Sequence, residues 1–338
     1  MDYTQIFADP ELKDEFLDRF EEIRDAAAGT AGLESVGALD AVLDVDHAAD
    51  AVKQMSEGTW QGDDSGVEAI ILQFGRPVHL IRGGTFDTSA DAPDGYPESE
   101  VIAARLRAAR PRLERVIPSV GRVDLRNHRE PWAGTGWMVA EGIAVTNRHV
   151  ARAFAERKGG RFPFRTISGR NVRADIDWRR EYRRPQESRF RVTEVIWIAP
   201  DATHEDVALL RVAPTGEDGE PLPAPIPLAT GERDGLSVGR WVGVIGYPGR
   251  GKADPDDRQR IFDGIYDHKR LAAGRLTAIE RDRWVFHDAT TLAGNSGSAV
   301  VDLTTGRALA LHFAGWPGER NGAVRATDVA RILREHAS

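Results

Sequence analysis

A mostly β domain preceded by a smaller helical or α+β region is the architecture this sequence predicts, on three observations. From Gly121 onward, short apolar segments alternate with Gly and Asp turns, the texture of a sandwich or barrel made of many short strands. Ahead of them, apolar residues recur at helical spacing. Charge also divides the chain. Residues 1–66 hold 17 acidic and 4 basic side chains, a balance of −13, so the remainder of a chain with net charge −8 carries +5.

In the first part, Asp9 caps a predicted helix that opens at Pro10 and runs to Gly29 with Leu12, Phe16, Phe20 and Ile23 on one face. A second helix is predicted over 36–55, through Leu39, Leu43, Val52 and Met55. VEAIILQF and VHLI, about Gly75-Arg76-Pro77, read as two strands joined by a turn. Residues 83–98 read as a loop or linker, and 99–117 as a helix through Val101, Leu106, Leu113 and Val116 that Pro111 should break or kink. The boundary between the N-terminal region and the β domain is placed at 118/119.

The β domain follows as WMVAEGIAVTN, RVTEVIWIA, DVALLRV, WVGVIGY, WVFHDA, SAVVD and ALALHFAG, with a terminal helix over 327–337 that aligns Val329, Ile332 and Leu333. Six arginines between 179 and 191 form a basic stretch. A solvated loop is its ordinary reading, and a docking site for the acidic N-terminal part the more interesting one.

Composition excludes several classes. No stretch approaches the roughly 18 apolar residues of a membrane span. The acidic N-terminus lacks the basic and apolar regions of a secretory signal. The chain contains no cysteine, which fits a reducing cytoplasm. A net negative charge argues against generic nucleic-acid binding. Asp44 and Asp46 lack the rest of a calcium loop, and His204-Glu205 lacks the second histidine of a zinc helix. Gly134-Thr135-Gly136 leads into a strand, so it is no dinucleotide site. No metal or organic cofactor is implied.

Three segments carry chemistry. GTGWMVAEGIAVTNRHVA (134–151) delivers His149 as a strand ends; DVALLRV places Asp206 at the mouth of a buried strand; GNSGSAVV (294–301) puts Ser296 in a glycine-rich turn. A serine hydroxyl attacks well only when a base takes its proton, and histidine does this near neutral pH. An aspartate on the other ring nitrogen fixes the tautomer and stabilises the imidazolium. Glycines around Ser296 let the Gly294 and Ser296 N–H groups converge on one oxyanion. Alone, each segment is ordinary: a tight turn, a polar residue at a strand end, a buried strand. The order His, Asp, Ser, spaced by 57 and 90 residues on a β pattern, is not.

TNRHV, DVALL and GNSGS resemble the three signatures of the trypsin-like, chymotrypsin-fold serine proteases. GYPG at 246–249 and LHFAGWPGERNGAV at 311–324 are similar to bacterial glutamyl endopeptidases, whereas HtrA-type proteases share the GNSG turn but not the second of these. The resemblance covers about 120–336. It implies a double β-barrel with a C-terminal helix, barrel one over about 119–214 and barrel two over about 236–326. It implies a serine endopeptidase with His149, Asp206 and Ser296 as triad and the Gly294 and Ser296 amides as oxyanion donors. Thr291 and His312 match the positions that hold an acidic P1 side chain, and Phe313 to Gly315 should pair with the substrate backbone.

Two departures matter. Those secreted relatives use a mature N-terminal amine near the pocket, and here more than a hundred residues precede the barrel. Trypsin's activating Asp before the nucleophile is Asn295 here, which argues against trypsin-style activation by cleavage. A protein or peptide substrate is implied, with the N-terminal region a candidate partner-binding or restraining element in a bacterial signalling or defence setting. The competing readings are a catalytically idle binding module and an HtrA-like quality-control protease without a PDZ domain.

Overall fold

The computed structural model describes residues 53–54, 78–88, 97–200, 204–231, 236–249, 262, 264–280, 284–292, 294–315 and 321–337. The helix predicted over 10–29 and the VEAIILQF strand lie outside these residues, as does nearly all of the helix predicted over 36–55; Lys53 and Gln54 are helical.

The chain enters as strand β1 (Val78–Arg82), which turns through Gly83-Gly84 into β2 (Thr85–Phe86). Both glycines have positive φ, +62° and +78°, as a two-residue type I′ hairpin turn demands. Part of the predicted linker is therefore a hairpin, and Phe86 is buried. Helix α1 (Pro97–Val116) follows. Pro111 does not break it. It sits on the solvent face with Arg107 and Ala108, where the carbonyl that loses its partner faces water. Ile102, Leu106, Ala109, Leu113 and Val116 form the buried stripe, while Val101, expected inside, is exposed.

Two six-stranded barrels make up the rest. The first contains β3 (Val120–Arg126), β4 (Trp132–Ala140), β5 (Ile143–Thr146), β8 (Arg173–Asp177), β9 (Arg189–Ile198) and β10 (Ala208–Val212), closed in the order β10-β5-β4-β3-β8-β9. A short helix α2 (Arg148–Phe154) leaves β5, and the small ribbon β6 (Thr166–Ile167) and β7 (Arg170–Asn171) stands apart. The second contains β11 (Trp241–Gly246), β12 (Arg270–Ile279), β13 (Trp284–His287), β14 (Ala299–Asp302), β15 (Ala308–Gly315) and β16 (Asn321–Arg325). Its order is β11-β14-β15-β16-β13-β12, with β11–β12 pairing to close it. Helix α3 (Ala326–His336) buries Val329 and Ile332. Among the described residues no helix is long and apolar enough to cross a membrane.

β3, β8 and β12 escaped the sequence reading because each carries charged residues that end up inside. Arg122, Asp124, Asp175, Asp177 and Arg270 are all buried. They are matched by partners: Arg122 Nε donates to Asp124 Oδ1 at 2.6 Å, and Arg270 donates to the carbonyls of Val78, Phe262 and Ile265.

The elements ahead of residue 119 are built into this body. β1 pairs with β12 through Val78↔Ala272, His79↔Leu271 and Leu80↔Arg270. The stripe of α1 shares one apolar core with Val145 and Leu209 of the first barrel and Ile245, Leu271 and Val301 of the second. Each barrel keeps its own interior as well, around Met138, Phe154 and Phe190 in the first and Val244, Val285 and Ala310 in the second. Buried Lys269 ties the junction, its Nζ donating to Ile117 O (3.0 Å) and Trp178 O (2.7 Å).

Candidate active site

His149 is the second residue of α2, and Asp206 lies just ahead of β10, the strand that pairs with β5. Antiparallel pairing of Ala208 with Thr146 brings the two together although 57 residues separate them. His149 Nδ1 and Asp206 Oδ2 are 2.6 Å apart, and the His149 backbone N–H donates to Asp206 Oδ1 at 3.1 Å. Asn147 Nδ2 donates to the Asp206 carbonyl at 2.9 Å, so the loop holding the histidine also holds the backbone of the acid. Arg148 Nε lies 3.8 Å from Asp206 Oδ1. The carboxylate is mostly buried and the imidazole half exposed. This arrangement places the Nδ1 proton on the acid side and leaves Nε2 for other work.

Ser296 sits in the turn before β14. The Asn295 N–H donates to Leu292 O (3.1 Å), and Gly294 has φ +91°. Positive φ at this position of a turn calls for glycine. A Cβ on Gly294 would also run into the Trp132 ring and the Tyr247 carbonyl. Asn295 O accepts from the Ser298 N–H at 2.8 Å, which turns the Ser296 N–H the opposite way. Among the described residues no backbone carbonyl engages the Gly294 or Ser296 N–H. Asn295 is buried and bonded to Ser298 Oγ (3.3 Å), a neutral anchor where a charged one would need a counter-ion.

The turn meets the first barrel directly. The Thr135 N–H donates to Ser296 O (2.8 Å), and a Cβ on Gly134 would stand 2.9 Å from Ser296 O and 2.7 Å from Val150 Cγ2, next to His149. The Ser296 hydroxyl is 3.5 Å from the carbonyl of Phe313. Among the described residues it makes no hydrogen bond to His149, a contact that commonly tightens only with substrate present.

The remaining predicted residues gather beside this turn. His312 on β15 is fully buried. Loss of hydration, joined by the positive field of His149, lowers its pKa from 6.5 to about 3. Its Nδ1 lies 3.2 Å from Nε2 of His287. Thr291 Oγ1 donates to Asn321 Oδ1 at 2.7 Å, and Asn321 Nδ2 donates to Ala289 O at 2.7 Å. Phe313 packs against Trp284. On its β14 side, β15 is paired in register from Ala308 to Leu311, and His312 adds backbone bonds to Gly297 and Ser298.

Sequence reasoning passed over Trp132, Thr135, Asn147, His287 and Asn321. The signal for Thr135 was Gly134-Thr135-Gly136, read only as the start of a strand, and Asn147 lay within TNRHV without being singled out; the others carry no local pattern. Among the described residues no group of three or more His, Asp and Glu side chains is placed to hold a metal ion.

Among curated proteins, no sequence matches the chain. Among solved structures, the serine endoprotease from Yersinia pestis is similar at 17% identity and a TM-score of 0.46, covering 68% of this chain and 65% of that one. The HtrA-type protease AlgW with a decapeptide matches at 18% identity and 0.43, covering 67% of each chain. Rv3671c from M. tuberculosis H37Rv, in an inactive serine-to-alanine form, matches at 20% and 0.42, covering 67% of this chain and 90% of that one. The chain thus spans less than two thirds of the Yersinia enzyme, and at these TM-scores the three structures carry no weight in the assignment. The sequence pattern of the trypsin-like peptidase domain does. It matches residues 134–311, more than half of the chain and the whole stretch holding His149, Asp206 and Ser296. The chain belongs to the trypsin-like peptidase family.

Proposed function

We propose that Ser296, His149 and Asp206 are the catalytic triad of an endopeptidase that works through an acyl-enzyme. One observation carries this reading: Asp206 fixes His149 through both ring and backbone, across from a glycine turn whose Gly294 and Ser296 N–H groups meet no backbone carbonyl among the described residues. Ser296 Oγ attacks the scissile carbonyl while His149 Nε2 takes its proton; the imidazolium, stabilised by Asp206, then protonates the departing amine. Water attacks the resulting ester with the same base, and the acid product leaves. The Gly294 and Ser296 N–H groups stabilise the oxyanion in both halves. The substrate backbone adds as a strand along β15 at Phe313 and Gly315. A fluorophosphonate probe tests the reading: it should label the chain at Ser296 and leave Ser296→Ala unlabelled, and equal labelling of the two would overturn it.

For the substrate, we favour an acidic P1 side chain. Burial holds His312 neutral, and in the tautomer that accepts at Nδ1 from His287 its proton lies on Nε2, a donor suited to a carboxylate. Thr291 is oriented by Asn321. A peptide-library digest should show cleavage after Glu or Asp; cleavage after Arg, Lys or aromatic residues would refute it.

A role for the acidic N-terminal part in docking or restraint, with a partner protein as substrate, is supported by charge. Arg180, Arg183, Arg184 and His268, with Pro185 and the single carboxylate of Glu181, line a cavity of about 360 Å³, and Arg82 and Arg183 both stack on Tyr182. Reversal of Arg183 and Arg184 to Glu should change activity only while residues 1–66 are attached; the same change in a chain lacking them would count against this role.

A further inference from the structure

The hydroxyl of Thr135 stands at a crossing between the two barrels. It donates to the carbonyl of Gly294 at 3.0 Å and accepts the N–H of Tyr247 at 3.2 Å. The backbone of the same residue donates to Ser296 O at 2.8 Å, and its own carbonyl accepts from Thr146 Oγ1 at 2.6 Å. All four polar groups of one fully buried residue are thereby committed, two of them to the nucleophile turn.

We propose that Thr135 is a positioning residue for the oxyanion turn, acting from the opposite barrel through its hydroxyl; the inference rests on the serine-protease reading above. The Gly294 carbonyl belongs to the peptide immediately after one oxyanion donor, and the Ser296 carbonyl to the peptide immediately after the other. Holding both fixes the backbone torsions that aim the two N–H groups. Gly294 needs such a hold because it has no side chain and sits at φ +91°, where glycine moves between backbone regions at little cost. On its other side the turn meets Trp132, whose ring lies where a Gly294 Cβ would go and over which the Arg122 guanidinium stacks at 5.5 Å. The tether itself is anchored, because the Tyr247 N–H that orients the Thr135 hydroxyl belongs to a fully buried residue. A hydroxyl with its acceptor side occupied has its hydrogen directed at the Gly294 carbonyl.

Thr135→Val keeps the shape and the backbone bonds but removes the hydroxyl, leaving Gly294 O without its donor and the Tyr247 N–H without its acceptor. Thr135→Ser keeps the hydroxyl. Hydrolysis of p-nitrophenyl acetate separates the possibilities, with kcat expressed per active site from the extent of fluorophosphonate labelling. Thr135→Val should lose about ten- to hundredfold in kcat, below the loss typical of removing an oxyanion donor outright, with KM within about threefold. Thr135→Ser should stay within about threefold of the unmodified chain, and the pH profile should keep its shape because His149 and Asp206 are untouched. A hydroxyl that served stability alone would lower Tm and the labelled fraction while kcat per site held; that result overturns the proposal, as does a Ser variant as slow as Val. Where Val does not fold, Thr135→Ala takes its place with the same expectation. An unmodified chain that never labels overturns the functional reading and this inference together, whereas a labelled chain whose Val variant keeps its kcat overturns only the positioning role.

Discussion

Asp206 grips His149 at two points, one carboxylate oxygen at the ring Nδ1 (2.6 Å) and the other at the backbone N–H (3.1 Å). The first contact sets the tautomer and the second fixes where the acid stands relative to the base. An amide in place of the carboxylate keeps the shape but offers the ring a donor as readily as an acceptor. Asp206→Asn should therefore reduce kcat by as much as about 10⁴-fold with little change in KM, measured by steady-state hydrolysis of an activated ester. A loss under tenfold would show that Asp206 does not orient the base.

Gly294 offers a sharper test of the turn. Its positive φ and the closeness of Trp132 and the Tyr247 carbonyl leave no room for a methyl group. Gly294→Ala should lower activity at least a hundredfold and stability by about 1–3 kcal/mol, read from urea titration. A variant with unchanged kcat would mean that the turn can adopt another shape without cost.

Stability should carry the mark of His312. An imidazole whose folded pKa lies near 3 binds a proton more readily in the unfolded chain, whose value is close to 6.5. Stability is then unaffected above pH 6.5 and is lost as pH falls from there toward 3. At about 1.4 kcal/mol per pH unit the loss is on the order of several kcal/mol. His312→Gln should lose less on acidification, because the contributions of other groups are common to both chains. Urea midpoints at pH 7 and pH 4 that move in parallel for the two would contradict the assignment.

The N-terminal elements make a structural prediction. Leu113 on α1 is fully buried in the core shared by both barrels, so Leu113→Ala should cost about 2–5 kcal/mol by denaturant titration. A chain beginning at residue 119 would lose β1 from β12 and uncover the surface under α1. It should be poorly soluble or melt well below the full chain; an equally stable truncated protein would show that these elements are dispensable.

The chemistry was legible because its residue types travel with local signals. A histidine just past a strand, an aspartate before a run of apolar residues, and a serine between glycines are each readable within ten residues. β3, β8 and β12 escaped reading because they carry charges that end up inside, as Arg122 does, bonded to Asp124 two residues along the same strand. A charge in a sequence reads as solvent-facing until its partner is known. The linker at 83–98 misled for the opposite reason, since its Gly and Thr are also the makings of a hairpin. Val101 and Pro111 on α1 were misjudged because single positions of a helix are assigned to a face by what packs against it.

What local order could establish, then, was the family, the three residues proposed as nucleophile, base and acid, and a largely β architecture, since each depends on residue type and spacing along the chain. Folding in three dimensions settled how β1 and α1 join the barrels, which polar residues are inside, and that Thr135 and Trp132 stand against the Gly294 turn. Thr135 and Gly294 are 159 residues apart in the chain and joined by one hydrogen bond. Contacts of that kind arise only when two separately closed barrels are brought face to face, and no periodicity in the chain encodes them.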